Sequence, residues 1–509
     1  MTVRILAILL FIFAITLRLW NLNMMGRTWD EQNIVEKGYN FVQLALNKDF
    51  SNPFWYDNPD HPPLSNYLYG IASVGDFVRF DKKQIISFKS SPYGAGIFQY
   101  DFVFTRLVSV FFSSLAVVLV FLIGARYISL FVGITAGIIL AMMPHFLGYS
   151  QLVTHESLIT FFFTASVFSY LLYFEKKTTP LLIISGILTG LTLELKQSNV
   201  LLFVLLFGLF FLWKYFNPKN KAVNLRHIFL ISLIGVATYI ILWPMPIFHL
   251  DHFIAFTYDM WFKNGGKVPT LLFGLHLGAP FFFYIVAFLV TTPLITLILS
   301  LFGLKTAWRK RTWICLALTL WFLIPFLMSF FSHRQMMVRY IIEFYAPLSL
   351  LAAIGLEFLV NKFSSKQPLK YFAGALLTGY MFITLLQISP YYLDYYNELV
   401  GGTNTVYKHK LFFIGEWGQG LRNPGIYVAT HASKKDVIGL ALNPKTTLFQ
   451  SEALKYETFD PKKKYDYVIV NTFNILRLGF DDDVLQNDYK VVYTEKVNGA
   501  VLAQVYKRN

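Results

Sequence analysis

Apolar runs recur along the chain at about 5–20, 102–123, 127–143, 155–173, 228–246, 280–304, 312–331, 341–360 and 371–388. Most approach the roughly 18–22 residues a helix needs to cross ~30 Å of hydrocarbon. A further run, 180–213, is too long for one crossing, because a single helix over it measures about 50 Å. Glu194-Leu-Lys196-Gln-Ser-Asn199 interrupts it, which predicts two shorter helices, 180–195 and 199–213, with Lys196 at their shared end. The pattern therefore predicts a polytopic α-helical membrane protein with about 11 transmembrane helices. No small-residue cleavage site follows the first run, so that run reads as an uncleaved anchor.

Two stretches depart from this pattern. The loop 21–101 carries Ile34, Gly38, Phe41, Val42 and Ala45 at helical spacing, with Glu36, Lys37, Gln43 and Lys48 elsewhere. That spacing predicts an amphipathic helix lying on the membrane surface. Pro62-Pro63 opens a second predicted helix that runs to about Phe77. After Pro390 the runs Ile426–Ala429, Tyr467–Val470, Val491–Tyr493 and Ala500–Tyr506 are short, β-rich and separated by charged and turn residues. We expect a membrane domain over 1–390 and a small α/β domain over 410–509.

Composition agrees with the membrane reading: 55% of the 509 residues are apolar and only 14% charged, with mean hydropathy +0.50. The net charge of +15 does not imply nucleic acid, because most Lys and Arg lie in short loops between apolar runs. One set of ends and loops holds Arg4, Arg126, Lys176, Lys177, Lys214, Lys219, Lys221, Arg226, Lys305, Arg309, Lys310, Arg311, Lys362, Lys366 and Lys370. The opposite set holds Lys196, Lys263, Lys267, Arg334 and Arg339. Fifteen against five puts the first set, and the N-terminus, in the cytoplasm of a plasma or inner membrane. The 21–101 loop and the C-terminal domain are then extracytoplasmic. The single cysteine, Cys315, permits no intramolecular disulfide and no Cys-based metal cluster.

The chemistry-bearing residues fall on that outer side. Asp30 and Glu31 follow the first span; the alternative for them is a helix N-cap, but capping engages one side chain and two are present. Two adjacent carboxylates can divide labour, one taking a proton from an attacking hydroxyl and the other orienting it. His61 shares their loop. Arg106 stands at the outer end of the second span and, unless it snorkels, offers a phosphate fork. His155, Glu156, Lys196, His333, Arg334, Arg339 and Tyr340 stand at outer ends of other spans, where a charge requires a partner or a cavity. Arg18, near the outer end of the first span, reads as snorkelling. Together these suit a lipid-phosphate sugar: its tail stays in the bilayer, its phosphate meets Arg106, Lys196 and Arg339, and Asp30 serves as the one base needed for displacement of a good leaving group. No close-spaced metal-ligand motif accompanies them, so no cofactor is expected, with a divalent cation as the alternative.

This order of motifs resembles the GT-C glycosyltransferases, in particular the protein O-mannosyltransferase and lipid A aminoarabinose transferase group. The motifs are the outer-loop Asp30-Glu31, then His61-Pro-Pro-Leu64, Arg106-Leu107, Thr154-His-Glu-Ser-Leu-Ile-Thr-Phe-Phe162, Arg339-Tyr340, and Pro390-Tyr-Tyr-Leu-Asp-Tyr-Tyr-Asn-Glu-Leu-Val-Gly-Gly402. The resemblance implies a GT-C fold, an extracytoplasmic transferase using a polyprenyl-phosphate sugar, Asp30 as the catalytic acidic residue with Glu31 its neighbour, and Arg106 as a donor-phosphate arginine. The acceptor it leaves open is a protein, a lipid or a cell-envelope glycan. Aminoarabinose transferases typically carry Lys before Pro-Pro, where this chain has His61; protein mannosyltransferases carry an MIR insertion, which this chain lacks. A lipid-linked glycan flippase and an O-antigen ligase or polymerase are the competing classes; the first predicts broken helices in matched halves.

Overall fold

The computed structural model describes residues 2–56, 61–78, 102–263, 269–278, 280–330, 336–363, 366–442, 447–451 and 453–509. His333 and Arg334 lie outside the described residues.

Each predicted apolar run contains helix. Among the described residues seven helices are long and apolar enough to cross a membrane, including Thr2–Leu19, Val103–Tyr127, His155–Lys176, Arg339–Phe363 and Gln367–Ile388. Two further segments are bent pairs: Leu130–Ala141 with Pro144–Ser150 at 64°, and Phe283–Thr291 with Leu294–Lys310 at 114°. The count is nine if each pair is one span; Thr179–Leu193 and Trp313–Leu327 are shorter apolar helices. The straight span expected over 280–304 is thus a sharp bend at Thr292-Pro293. Proline cannot donate an amide to the preceding turn, so carbonyls before it are left open. Asn397 closes them: its Nδ2 donates to the carbonyls of Leu289 and Thr292, both at 2.6 Å, and its backbone N–H to Val290 at 2.8 Å.

Both helices expected in the outer loop form, as Glu31–Leu46 and Leu64–Val78. Where they cross, a Cβ on Gly38 would strike the backbone of Asn66 and Gly70, and one on Gly70 the backbone of Gly38. Only hydrogen fits there. The Asp76 carboxylate at the end of the second helix accepts from the N–H groups of Phe104 and Thr105, at 2.9 Å each. It satisfies open donors at the start of Val103–Tyr127, as a side-chain cap would.

Beyond Pro390 a five-stranded mixed sheet forms. With the ribbon β1 (Pro269–Leu272) and β2 (Leu275–Gly278) counted first, its strands are β3 (Val437–Ala441), β4 (Lys455–Thr458), β5 (Tyr467–Asn471), β6 (Tyr489–Val497) and β7 (Ala500–Arg508), in the order β4-β3-β5-β7-β6. β3 runs parallel to both β4 and β5, and β7 antiparallel to β5 and β6. The strand expected at Ile426–Ala429 is instead the helix Arg422–His431. A four-residue apolar run does not distinguish the two states, and Pro424 suits a helix's first turn. The sheet has its own core around Leu421, Val428, Ile438, Ile469 and Val505. Phe412, Ile414, Trp417 and Leu502 belong instead to the core of the helical domain.

Candidate active site

The site begins where the first span ends. Glu31, the first residue of its helix, is fully buried and paired with Arg106, at 0% and 1% exposure. Arg106 donates Nε to Glu31 at 2.8 Å and Nη2 at 2.7 Å, while its remaining donors reach the carbonyls of Leu22 at 2.8 Å and Gly26 at 2.6 Å. The same carboxylate accepts from the N–H of Thr28 at 2.9 Å and of Val153 at 3.0 Å. Every arm of the pair is committed within the protein. The expectation that Arg106 binds donor phosphate and Glu31 assists the chemistry is therefore corrected: they form a clamp that fastens the 22–31 loop to Val103–Tyr127 and to the 151–154 segment. Arg18 also departs from expectation. It is fully buried, donating to Ser113 Oγ at 2.7 Å and lying 5.2 Å from the Phe146 ring. A buried serine and an aromatic face hold it inside the bundle, so it does not snorkel.

The clamp aims its neighbours. Asp30 directly precedes Glu31, and Glu156 lies three residues beyond Val153. Asp30 makes no side-chain cap bond to its helix. Its Oδ2 lies instead 2.9 Å from Arg339 Nη2, with the side chain 32% exposed. Arg339 Nε meets Glu156 Oε1 at 2.6 Å. One guanidinium thus bridges two carboxylates from different elements, using the planar fork that distinguishes arginine. The other oxygen of Glu156 has no hydrogen-bond partner among the described residues. The Arg339 guanidinium also stacks over Trp417 at 4.4 Å, a cation–π contact.

Lys196, Tyr340, His61 and His155 surround this core. Lys196 is the residue before the short turn Gln197–Val200, as the interrupted 180–213 run predicts. It is buried, with Nζ 3.9 Å from the centre of the Tyr340 ring. Among the described residues it makes no ion pair within 4 Å. The carboxylates of Glu156 and Glu343 act on it electrostatically without a direct ion pair, and a buried ammonium held this way is costly unless a ligand adds a closer anion. His155 Nδ1 is 2.6 Å from Ser65 Oγ, and the His61 and His155 rings meet edge to face at 4.5 Å. Burial, His155 and the nearby cations Lys196, Arg339 and Lys37 push the His61 imidazolium pKa well below its usual value, so the ring is neutral at pH 7. It serves as a hydrogen-bonding group rather than a cation.

Of the sequence-predicted residues, then, Asp30, Glu156, Lys196, Arg339, Tyr340, His61 and His155 are brought together. Glu31 and Arg106 stand behind them as support. Sequence reasoning missed Glu343, a buried carboxyl on Arg339–Phe344 whose charge in an apolar run was a usable signal. It also missed Trp417, which arrives from the C-terminal domain. The 390–402 linker delivers it. Asp394 accepts from the Gly415 N–H at 2.8 Å and from Gln419 Nε2 at 2.9 Å, and Tyr396 OH donates to the Phe413 carbonyl at 2.7 Å. Trp29 N–H then donates to the Trp417 carbonyl at 3.0 Å, tying the loop to the residue before Asp30.

Residues 8–258 match the family model described as dolichyl-phosphate-mannose-protein mannosyltransferase. Among solved structures, ArnT from Cupriavidus metallidurans bound to undecaprenyl phosphate is similar over 98% of this chain and 97% of that one, at 11% identity and TM-score 0.53. The oligosaccharyltransferase of Archaeoglobus fulgidus in its apo form is similar over 77% of this chain, at 13% identity and TM-score 0.50. There the match spans 55% of the relative's length. A search of curated protein sequences gives no match. At such identities the structural likeness establishes the fold, which is that of the GT-C glycosyltransferases.

Proposed function

We propose that this chain, a multi-pass membrane glycosyltransferase of the GT-C type, moves a sugar from a polyprenyl-phosphate donor to an acceptor hydroxyl on the extracytoplasmic side. The observation that carries the reading is the Arg339 bridge: a partly exposed Asp30 held at 2.9 Å by the same guanidinium that holds buried Glu156. In this mechanism the acceptor hydroxyl attacks the anomeric carbon and its proton passes to Asp30. The bond from that carbon to the phosphate oxygen breaks, and polyprenyl phosphate leaves. One displacement inverts the anomeric centre. Lys196 and the guanidinium of Arg339 stabilise the charge that grows on the departing phosphate. Transfer is expected to persist in EDTA; complete loss restored by a divalent ion would make Asp30 a metal ligand.

A flippase would put its binding groups at broken helices. Among the described residues the two bent pairs break at Met142-Met143 and Thr292-Pro293, neither of them charged, so the charged interruption at Glu194–Lys196 has no matching counterpart at those bends.

Lys196→Ala tests the donor side. Loss of a charge-assisted phosphate contact is expected to raise the KM for polyprenyl-phosphate sugar about 10-fold or more, with Lys196→Arg recovering part. An unchanged donor KM would remove Lys196 from the site. The orientation is tested in a Cys315→Ser background. Single cysteines at the exposed positions Ser51 and Lys434 should react with an impermeant thiol reagent on intact cells, and one at Lys219 should not. Labelling at Lys219 instead would invert the topology.

A further inference from the structure

The loop that carries Trp417 also carries Glu416, which nothing above uses. The loop is built to hold one shape. Gly415 and Gly418 adopt φ of +68° and +76°, backbone that side chains disfavour, and a Cβ on Gly418 would strike Thr447. Asp394 fixes Gly415 and Gln419, Gln419 Oε1 accepts from the Trp417 N–H at 2.9 Å, and Gly418 N–H donates to the Gly415 carbonyl at 2.9 Å. All this anchoring engages the loop's other residues. The Glu416 carboxylate forms no hydrogen bond or ion pair among the described residues and is only partly exposed.

Its surroundings indicate what it faces. Arg477, Arg339 and Asp394 act on it electrostatically, and it acts in turn on Tyr149 and Tyr396. Burial outweighs the two arginines and holds its pKa up at about 7. Arg477 also lies 6.0 Å from the ring of Trp29, an indole that is 42% exposed and directly precedes Asp30. A carboxylate with no hydrogen-bond partner among the described residues, a flanking guanidinium and a partly exposed indole suit a polyhydroxylated ligand, whose C–H face packs on the exposed part of the ring while a hydroxyl reaches the carboxylate. Trp29 directly precedes Asp30 and Glu416 directly precedes Trp417, whose ring stacks on the Arg339 guanidinium that holds Asp30, and the Trp29 N–H donates to the Trp417 carbonyl; the two residues thus adjoin the Asp30 ion pair.

We propose that Glu416 and Trp29 form the acceptor subsite, and that the acceptor is a carbohydrate: one hydroxyl is activated by Asp30 while a second hydrogen-bonds to Glu416. This rests on the transferase reading and adds the acceptor's chemical class. Glu416 is a positioning residue here, and the proton still goes to Asp30.

The test uses full-length protein in proteoliposomes with radiolabelled polyprenyl-phosphate mannose and two acceptor probes, methyl α-mannoside and a short Ser/Thr peptide. The wild type is expected to label the glycoside in preference to the peptide. Glu416→Gln, which keeps the side-chain volume, should raise the glycoside KM about tenfold while the donor KM moves less than about twofold. Glu416→Asp should recover part of the loss, and Trp29→Ala should act in the same direction as Glu416→Gln. Preferential labelling of the peptide, or an unaltered glycoside KM in both Glu416→Gln and Glu416→Asp, would overturn the acceptor assignment and leave the transferase reading standing. Absence of transfer to either probe by the wild type would overturn both.

Discussion

Asp30→Asn is expected to slow sugar transfer at least ~10²-fold, the lower scale for losing general-base help. The amide keeps the shape and a hydrogen-bond acceptor for Arg339 but cannot take the acceptor's proton. Donor KM should change far less than turnover, because Lys196 and Arg339 keep their charges. The contrast matters because the one structural role open to Asp30 from sequence, capping the helix Glu31–Leu46, is not what its side chain does. A variant with wild-type turnover on a hydroxyl acceptor would mean that the Arg339 bridge merely holds the loop.

The second large effect falls on stability. Arg106→Ala removes the counter-charge of a carboxylate with 0% exposure and strands the carbonyls of Leu22 and Gly26. Breaking one side of a buried pair costs about 3–5 kcal/mol, so the variant should unfold in detergent at markedly lower temperature or fail to accumulate. Arg106→Ala combined with Glu31→Leu, which removes both charges, should recover part of that loss, since replacing a whole buried pair by apolar groups is often tolerated. The measurements are thermal unfolding of the purified single and double variants, and donor KM wherever protein is obtained. A normally stable Arg106→Ala protein with a raised donor KM would return Arg106 to the phosphate site and refute the clamp.

This pair shows what the sequence disclosed and what it hid. That Asp30, Glu31 and Arg106 belong together follows from two outer-side span ends facing one loop. Which carboxylate turns inward does not, because it depends on Val153 and Gly26, whose backbone groups become partners only after folding. That the apolar runs are helical was legible because lipid tolerates few charges; the expected eleven spans were not matched, since seven helices among the described residues, or nine with the bent pairs, are long and apolar enough to cross. The 114° bend was not legible, since its carbonyls are satisfied by Asn397, 105 residues beyond Thr292. Lys196 and Arg339 were legible as charges that needed partners. Their aromatic partners differ in the same way: Tyr340 adjoins Arg339, whereas Trp417 comes from another domain. Glu416 lay in a glycine-rich loop with no periodicity, where nothing local distinguishes a part-buried carboxylate from a solvated one. The Ile426–Ala429 run was misread because four apolar residues fit either a strand or one helical turn.

The central claim is a displacement at the sugar carbon on Asp30's side of the membrane, and a product balance tests it most directly. Purified protein in proteoliposomes would receive a polyprenyl-phosphate sugar carrying ³H in the sugar and ³²P in the phosphate, with methyl α-mannoside as acceptor and EDTA throughout. The account predicts ³H on the acceptor with inverted anomeric configuration, an equal amount of ³²P left as polyprenyl phosphate, and both products formed at least ~10²-fold more slowly by Asp30→Asn. Donor carried across the bilayer with both labels still joined, or ³²P moving to the acceptor together with ³H, would contradict it.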